Sequence, residues 1–318
     1  MKHELTTDPN VISVQTAARR SVSSQTWKKG LLILTFMGPA LAIYLTYVVY
    51  PIISTFYYSL FNWTGIGSTQ TFVGLSNYVK LLSDFIFLQS LQNNLLLTLA
   101  SILTQLPLGL ILALLLFAPI RGIRLFRTVY FLPLLMSTVA IGILWTFIYD
   151  PSFGIVNQGL GLVGLEAWQA GWLGEKETAF WAVVGTVCWQ FTPFYMILFR
   201  AAIVGIPEDI YEAASIDGAN GWKKFWHITL PMLRPTIITS SILAIIGSLK
   251  YFDLIFVMTG GGPDSSTELM ATYMYKQAFA QFNMGYASAI SFSMFAIAFV
   301  ITVVFLSVDN YRKKRSEG

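Results

Sequence analysis

The amino-acid sequence predicts an all-α, polytopic membrane protein with six transmembrane helices, and three observations support this fold class. First, 55% of the 318 residues are hydrophobic and 11% are charged, whereas a soluble domain carries about 25% charged residues. Second, five long stretches contain no Asp, Glu, Lys or Arg: residues 30–79, 85–120, 128–149, 178–199 and 277–308. Third, these stretches are continuous and rich in Leu and Ile, whereas a membrane β-barrel shows alternating segments of about ten residues.

The length of a membrane-spanning helix, roughly 20 mostly apolar residues, sets the order of elements along the chain. Residues 1–29 are polar and form a predicted cytoplasmic tail that ends in Lys28 and Lys29. The following apolar stretch exceeds the roughly 7–15 residues of a signal-peptide core, so we expect a retained first helix. The predicted transmembrane domain covers residues 30–308, and residues 309–318 form a basic cytoplasmic tail. The predicted spans are 31–60, 94–118, 127–149, 179–204, 236–258 and 286–308.

The basic residues predict which side of the membrane each connecting segment occupies. Of the twenty Lys and Arg residues, three lie in segments predicted outside (Lys80, Lys176 and Lys276), and Lys250 lies within the fifth span. Because Lys and Arg accumulate on the cytoplasmic side, both termini are predicted to be cytoplasmic. The net charge of +4 follows from this asymmetry and does not indicate nucleic-acid binding. The other sixteen are Lys2, Arg19, Arg20, Lys28, Lys29, Arg121, Arg124, Arg127, Arg200, Lys223, Lys224, Arg234, Arg312, Lys313, Lys314 and Arg315.

Residue types that usually carry chemistry are scarce. Cys188 is the single cysteine, so an intrachain disulfide is excluded and we interpret this residue as a small apolar filler. His3 and His227 are far apart in sequence, which argues against a metal centre. The chain contains no G-x-x-x-x-G-K-[ST] sequence, so it has no P-loop that could hold nucleotide phosphates. We therefore predict no catalytic residue, no metal site and no cofactor in this chain.

The segment between the fourth and fifth spans, residues 205–235, predicts two short helices joined by a turn on the membrane surface. Pro207 suits a first helical position, and Glu208 and Asp209 would then favour the positive end of the helix dipole. Gly218 and Gly221 are expected to break this helix, and a second amphipathic piece, 222–228, is expected to end before Leu230 and Pro231. Two interpretations remain open: the small residues allow a partner chain to dock, or the helix pair anchors the loop.

The residue spacing in this segment resembles the coupling loop of importer-type ABC permeases. The pattern is Glu-Ala-Ala, three residues, Gly, nine residues, Ile, one residue and Leu-Pro. A second stretch, residues 252–263, is similar to the end of the fifth span in carbohydrate-uptake permeases, which handle di- and oligosaccharides and glycerol-phosphate compounds. The resemblance covers about residues 30–308, but the first outside loop, about residues 62–93, lacks the extra domain of the maltose-type permease. The matching residues are Glu212, Ala213, Ala214, Gly218, Ile228, Leu230 and Pro231.

This resemblance implies a transport subunit that is not itself an enzyme, in the plasma membrane of a prokaryote. It implies four partner chains: a second, related permease, two cytoplasmic ATPase subunits that bind ATP and Mg²⁺, and an extracytoplasmic solute-binding protein. The seven matching residues together with Asp217 would couple the permease to the ATPases. Transport would proceed by alternating access, driven by closure of the ATPases.

Two spans combine polar and aromatic side chains at membrane depth, where a solute pathway needs polar walls. The fourth span offers Gln190, Thr192 and Phe194 around Pro193, and packing around a proline kink is the alternative reading. The fifth span offers Ser248 and Tyr251, which are expected to share one helix face. The corresponding stretches contribute solute contacts in the family that the chain resembles.

Asp253, also in the fifth span, is the last predicted pathway residue. It lies three residues after Lys250, so the two charges either pair on one helix face or form part of a polar cavity wall. Two rival functions fit less well. A secondary carrier would use more intramembrane carboxylates than Asp253 alone and more spans, and a membrane-embedded enzyme would need clustered His, Asp or Glu residues.

Overall fold

The structure is a computed structural model that describes residue 32 and residues 35–67, 70–117 and 122–317. Within these ranges the side chains of residues 124, 127, 310 and 312–317 are not described. The predicted cytoplasmic tail 1–29, Arg121 and the side chains of the C-terminal basic residues therefore lie outside the described part.

The chain divides into two units, Met1–Tyr57 and Tyr58–Gly318. The first unit holds most of the first span, the helix Thr35–Ser59, which contains a π turn at Leu45–Val49. None of the residues in the most apolar window of this helix is buried.

The second unit contains the other five spans. Three are continuous helices, Phe85–Leu115, Lys176–Val204 and Met284–Asp309, the last of which extends to Glu317. The third span is a bent pair, Thr128–Leu135 and Thr138–Ile148, and the fifth consists of Arg234–Leu249 and Asp253–Met258. In the described residues, five helices are long and apolar enough to cross a membrane, or six if the bent pair counts as one span. The prediction of an all-α, six-span protein is thereby confirmed.

Short elements connect the spans. Two strands, Phe61–Asn62 and Thr71–Phe72, pair antiparallel between the first and second spans. A 3-10 turn covers Glu166–Trp168, and π turns cover Ser101–Gln105, Phe225–Thr229 and Lys276–Ala280. The short helices are Ser76–Ser83, Ile155–Leu162, Glu208–Ile216, Gly221–Lys224, Leu230–Met232 and Met270–Tyr275.

The second span begins at Phe85, earlier than the predicted start at residue 94. Asp84 caps this helix because its Oδ1 atom accepts hydrogen bonds from the backbone amides of Ile86 and Phe87. Asn93 and Asn94, which lie at the predicted start, are buried inside the protein. The prediction failed because hydropathy treats a buried amide in the same way as one that faces lipid.

The third span was predicted as one continuous helix, and this prediction was wrong. The direction of the helix axis changes by 110° at the break between Leu135 and Thr138. Met136 and Ser137 have extended backbones with ψ of 150° and 133°, so the second half starts a new helix at Thr138. Both halves are apolar, and hydropathy therefore carries no signal for the bend.

The fourth span lies at the centre of the bundle, with 67% of its most apolar window buried. On one side it packs with the second, third and fifth spans around Leu97, Ile141 and Leu254. Towards its C-terminal end it crosses the second span very closely, since a Cβ atom on Gly109 would lie 3.0 Å from the Tyr195–Met196 peptide nitrogen. Such small residues let transmembrane helices approach each other.

Connecting segments gather at two opposite ends of the second unit, as alternation of the spans requires. At one end, the Trp63 carbonyl accepts a hydrogen bond from the Gly285 amide, and Tyr273 and Tyr286 donate to Asp84. At the other end, Arg234 pairs with Asp309 at 2.9 Å, joining the start of the fifth span to the end of the sixth.

Candidate functional site

The first helix of the segment 205–235 covers Glu208–Ile216. Pro207 precedes the helix as its N-cap residue, with an extended ψ of 135°, so it lies one position before the predicted one. Glu208 and Asp209 occupy the first turn, where the carboxylates face the positive end of the helix dipole.

The turn after this helix depends on Gly218, whose φ is +76°. Side chains with a Cβ atom rarely adopt this left-handed conformation, and the Ala219 amide closes the turn by donating to the Ala214 carbonyl at 2.9 Å. The prediction that Gly218 ends the helix is confirmed. Gly221 instead begins the next helix, because Asn220 caps it by accepting from the Lys223 amide at 2.9 Å.

The second helix continues further than the sequence predicted. The helix Gly221–Lys224 continues as the π turn Phe225–Thr229 and then as the helical turn Leu230–Met232. Leu230 and Pro231 therefore do not end the second helix. The Leu230 amide donates to the Phe225 carbonyl five residues back. This wider turn loosens the helix just before Pro231, whose ring would otherwise clash with the preceding turn.

Side-chain contacts hold the two helices of this loop together. The hydroxyl groups of Tyr211 and Thr229 are hydrogen-bonded at 2.9 Å, and the Lys224 ammonium donates to the Ser215 hydroxyl. Between the loop and the ends of the second and fourth spans lies an apolar cavity of about 910 Å³, lined by residues such as Phe117, Ile203 and Trp222. The loop is therefore a preformed unit.

The structure leaves the matching motif accessible on the loop surface. A Cβ atom added to Gly218 would meet nothing within 4 Å. Two large apolar side chains that the motif does not include are also exposed, Ile216 by 87% and Trp222 by 71%. Glu212, Ala213, Asp217, Gly218 and Pro231 are exposed, whereas Ala214, Ile228 and Leu230 are half-buried.

A small cavity of about 60 Å³ lies between the second, fourth and fifth spans, and Ser248 and Tyr251 both line it. The Ser248 hydroxyl donates to the Ser101 hydroxyl at 3.2 Å, and the Gln105 amide donates to the same oxygen at 3.0 Å. The Tyr251 hydroxyl is buried and has no hydrogen-bond partner in the described part of the chain. Ser101 and Gln105 were not predicted, although they are polar residues in the charge-free stretch 85–120.

The sequence predicted that Ser248 and Tyr251 share one helix face, and this prediction was wrong. The helix Arg234–Leu249 ends after Ser248, and the next helix starts at Asp253, so the two residues do not share one helix face. Asn94 stabilises this interruption because its amide donates to the Ser248 carbonyl at 2.8 Å and accepts from the Met270 amide at 2.9 Å. Irregular backbone at membrane depth requires such internal partners.

Gln190 lies at a second polar position, beside the bend of the third span. Its amide donates to the Thr138 hydroxyl at 3.2 Å, at the start of the helix Thr138–Ile148. The Gln190 Oε1 atom is buried and has no hydrogen-bond partner among the described residues. Gln190 does not line the cavity that holds Ser248 and Tyr251.

Thr192 makes a hydrogen bond within the fourth span, and Phe194 packs against neighbouring apolar residues. The Thr192 hydroxyl donates to the Cys188 carbonyl at 2.6 Å. Phe194 is half-buried and packs against the apolar cluster that includes Leu106 and Phe199. The structure therefore does not bring either side chain to the cavity or to Gln190 Oε1, and their predicted solute contacts stay a prediction.

Lys250 and Asp253 are both exposed, and no ion pair joins them in the part of the chain that the structure describes. The predicted pairing on one helix face was wrong because Lys250 lies in the interruption and only Asp253 is helical. The other prediction, a polar wall of a cavity, is compatible with their exposure.

Asp84 organises the opposite end of the molecule. Its Oδ2 atom accepts hydrogen bonds from the Tyr273 hydroxyl at 2.6 Å and the Tyr286 hydroxyl at 2.5 Å. Burial alone would raise the pKa of the Asp84 carboxyl, but the bonds from these tyrosines and two backbone amides outweigh burial and lower the pKa below its ordinary value. Burial and the bond to Asp84 raise the pKa of the Tyr273 hydroxyl far above its ordinary value.

Comparison with known proteins agrees with this geometry. Residues 105–314 match the family model described as "Binding-protein-dependent transport system inner membrane component". The chain belongs to this family. It is accordingly a permease of an ABC importer, and its role is transport rather than catalysis. Within the described residues, no group of three or more His, Cys, Asp or Glu could hold a metal ion.

Relatives of this permease cover most of its length. A probable ABC transporter permease of Bacillus subtilis is 37% identical over 271 residues, which is 85% of this chain and 92% of the relative. A trehalose/maltose transport system permease of Thermococcus litoralis is 35% identical over 278 residues, covering 86% and 92%. The fold matches that of a chain in the crystal structure of a bacterial ABC transporter that imports alginate, with a TM-score of 0.78. The two chains are 24% identical, and the match covers 90% of this chain and 98% of the other.

Proposed function

We propose that this permease forms, with a second related permease, the pathway for a sugar or oligosaccharide delivered by an extracytoplasmic binding protein. The coupling-loop spacing supports the transport class, and the named relatives support the solute class. One relative is a diacetylchitobiose uptake permease of Streptomyces coelicolor and another a multiple sugar-binding transport permease of Streptococcus mutans, each 34% identical.

The loop 205–235 is proposed to dock into one of two cytoplasmic ATPase subunits. Its two helices are held together by Tyr211 and Thr229, while Glu212 and Ala213 face outward. A rigid helix presented to a groove on a partner is an established mode of recognition. ATP and Mg²⁺ would be bound by those subunits and not by this chain.

The proposed orientation of the permease in the membrane follows from the proposed docking of the loop 205–235 into the ATPases. With the loop in the cytoplasm, both termini are cytoplasmic, and the segments around Asp84 and Tyr273 lie outside. The membrane is proposed to be the plasma membrane of a prokaryote. A structure of the alginate ABC transporter contains a periplasmic protein with bound alginate pentasaccharide, and an equivalent partner is proposed for the outer end of this permease.

The solute pathway is proposed to use the two polar positions on either side of the fourth span. At the bend, Gln190 Oε1 and the free backbone amides that begin the helix Thr138–Ile148 can bind hydroxyl groups. In the cavity, the Tyr251 hydroxyl and Ser248 offer further donors and acceptors. Asp253 is exposed at the interruption of the fifth span.

The test is reconstitution of the complex in lipid vesicles with its ATPases and binding protein. ATP hydrolysis and saccharide uptake are expected only when the binding protein and a transported saccharide are both present. Uptake driven by an ion gradient without ATP would identify a secondary carrier and contradict the proposal.

A further inference from the structure

Four aromatic rings form a continuous ladder on the surface of the permease. Phe252 stacks on Phe256 with ring centres 4.9 Å apart, and both contact Tyr275, at 5.4 and 5.2 Å. Tyr275 in turn contacts Phe279 at 5.1 Å. The aromatic ladder thus leads from the interruption of the fifth span to the segment before the sixth.

The rings of the ladder are accessible. Phe256 is 42% exposed, Tyr275 37% and Phe279 58%, and Phe252 is half-buried. None of these residues contributes to the three apolar core clusters in the described part of the chain. The ladder is therefore a surface feature and not a part of the folded core.

Charged residues at the inner end argue that this surface faces water. Asp253 and Phe256 lie three residues apart in one helix and so share a face. Both Asp253 and Lys250 are exposed. A charge that faces lipid costs roughly 2.5–3.5 kcal/mol at the bilayer centre and less towards the interface, so two exposed charges on one segment match an aqueous pathway better than lipid.

The position along the fifth span places the ladder in the outer half of the membrane. At a rise of about 1.5 Å per residue, Lys250 lies about 24 Å along the helix from Arg234 at the inner end. The hydrocarbon core is about 30 Å thick. The ladder extends outward from there, towards the end where the binding protein would deliver its solute.

The outer part of the ladder is held in place by a buried charge. Lys276, the residue after Tyr275, pairs with Glu268, which is almost completely buried. Asn93 fixes the same segment by donating to the Ser266 carbonyl at 2.8 Å and the Glu268 carbonyl at 2.9 Å. The rings are thus presented by a braced segment, and a preorganised surface loses little entropy when it binds a ligand.

We propose that the aromatic ladder is a binding track for the saccharide between the binding protein and the interior of the permease, an assignment that rests on the proposed function. A pyranose ring has apolar C–H faces that can lie on aromatic rings and hydroxyl groups at its edges. The Asp253 carboxylate accepts hydrogen bonds and the Lys250 ammonium donates them, so the inner end of the ladder can bind those hydroxyls. The rival occupant of this surface is the second permease.

The experiment compares the double variant Phe256→Leu/Tyr275→Leu with the matched control Phe295→Leu/Phe299→Leu. The control pair is also exposed and stacked, but it lies in the charge-free stretch 277–308 of the sixth span. Complexes are reconstituted with saturating binding protein and a saccharide that the parental complex transports, chosen from radiolabelled mono- to tetrasaccharides. We expect saccharide uptake to fall about tenfold in the ladder variant, equivalent to about 1.4 kcal/mol, and to stay unchanged in the control.

Assembly and crosslinking identify the occupant. The ladder variant is expected to co-purify with the second permease and the ATPases in parental amounts. A photo-activatable phenylalanine analogue at position 279 is expected to crosslink the radiolabelled saccharide during turnover. Crosslinking to the second permease with loss of assembly would show an interface instead of a track. Parental uptake by the ladder variant would also overturn the track, whereas a parental complex that transports no saccharide would contradict the proposed function itself.

Discussion

At the scale of single residues, the amide of Gln190 is the clearest sign of a binding role. One half of the amide is hydrogen-bonded to Thr138, and the other half, Oε1, is buried without a partner in the described residues. Such a buried, unpaired polar atom costs about 1–3 kcal/mol. A solute hydroxyl that donates to it would recover part of this free energy.

We expect Gln190→Ala and Tyr251→Ala each to lower saccharide uptake by several-fold, since one lost hydrogen bond costs on the order of 1 kcal/mol. The two effects should add, because Gln190 lies at the bend of the third span and Tyr251 lines a separate cavity. The measurement is uptake by assembled complexes in vesicles with saturating binding protein. Thr186→Ala is the control, since Thr186 is buried on the same helix, donates to the Ala182 carbonyl one turn back and lines neither polar position. Unchanged uptake in both variants and their combination would place the solute contacts on the second permease.

Asp84 predicts a pH-dependent stability. Its pKa is lowered in the folded protein, so the charged carboxyl stabilises the fold above the ordinary aspartate pKa, and this contribution is lost as pH falls through the lowered value. We expect Asp84→Asn to reduce the thermal unfolding temperature in detergent between about pH 5 and pH 7, with the difference from the parental protein narrowing below about pH 4. Asp264→Asn, an exposed change between the fifth and sixth spans, is the control and should leave the unfolding temperature unchanged across this pH range. A constant difference at all pH values would contradict the role of the charge.

At the scale of elements, the loop 205–235, which we propose docks into an ATPase subunit, combines a fixed shape with an accessible surface. The left-handed Gly218 closes the first helix, and the Tyr211–Thr229 bond joins it to the second. The π turn before Pro231 keeps the second helix continuous. Its shape therefore depends on a few backbone positions, while Glu212 remains free to contact a partner.

We expect Gly218→Leu and Glu212→Ala to insert into the membrane but to weaken ATPase binding and solute-stimulated ATP hydrolysis steeply. Leucine at position 218 strains a backbone with φ of +76°, and alanine at 212 removes an exposed carboxylate. Gly221→Leu is the matched control, because Gly221 begins a helix with ordinary φ and has open space around it. Co-purification with the ATPases and ATP hydrolysis are the readouts. Parental activity in both variants would contradict docking through this loop.

At the scale of the whole molecule, the connecting segments alternate between two ends. One end joins residues 61–84 to residues 268–286 through Asp84, Tyr273 and Tyr286. The other end holds the loop 205–235 and the Arg234–Asp309 ion pair. This arrangement gives each segment a defined side.

Topology can be measured with single cysteines in a Cys188→Ala background. We expect a membrane-impermeant maleimide added outside intact cells to label Ser265→Cys, whereas Ser215→Cys should react only after permeabilisation. A reporter fused after Gly318 should be cytoplasmic. Labelling of position 265 from the cytoplasmic side alone would contradict the six-span topology.

The sequence by itself determined the fold class and the number of spans, and it predicted the coupling motif. Hydropathy averages over a whole helix, and it therefore found every span. The fixed spacing from Glu212 to Pro231 drew attention to the loop 205–235. Ser248 and Tyr251 were correctly placed together, although for the wrong reason. These features are local, so neighbouring residues are sufficient to specify them.

The tertiary structure decided where helices stop being straight and which polar groups meet. Asn94 bonds the Ser248 carbonyl 154 residues away, which stabilises the interruption of the fifth span. The cavity with Ser101 and Gln105 joins three spans, the bend at Ser137 lies beside Gln190 of the fourth span, and the aromatic ladder joins the fifth span to the segment before the sixth. No hydropathy pattern contains them, because a buried amide or an exposed ring acquires its role only from contacts between segments that are distant in the chain.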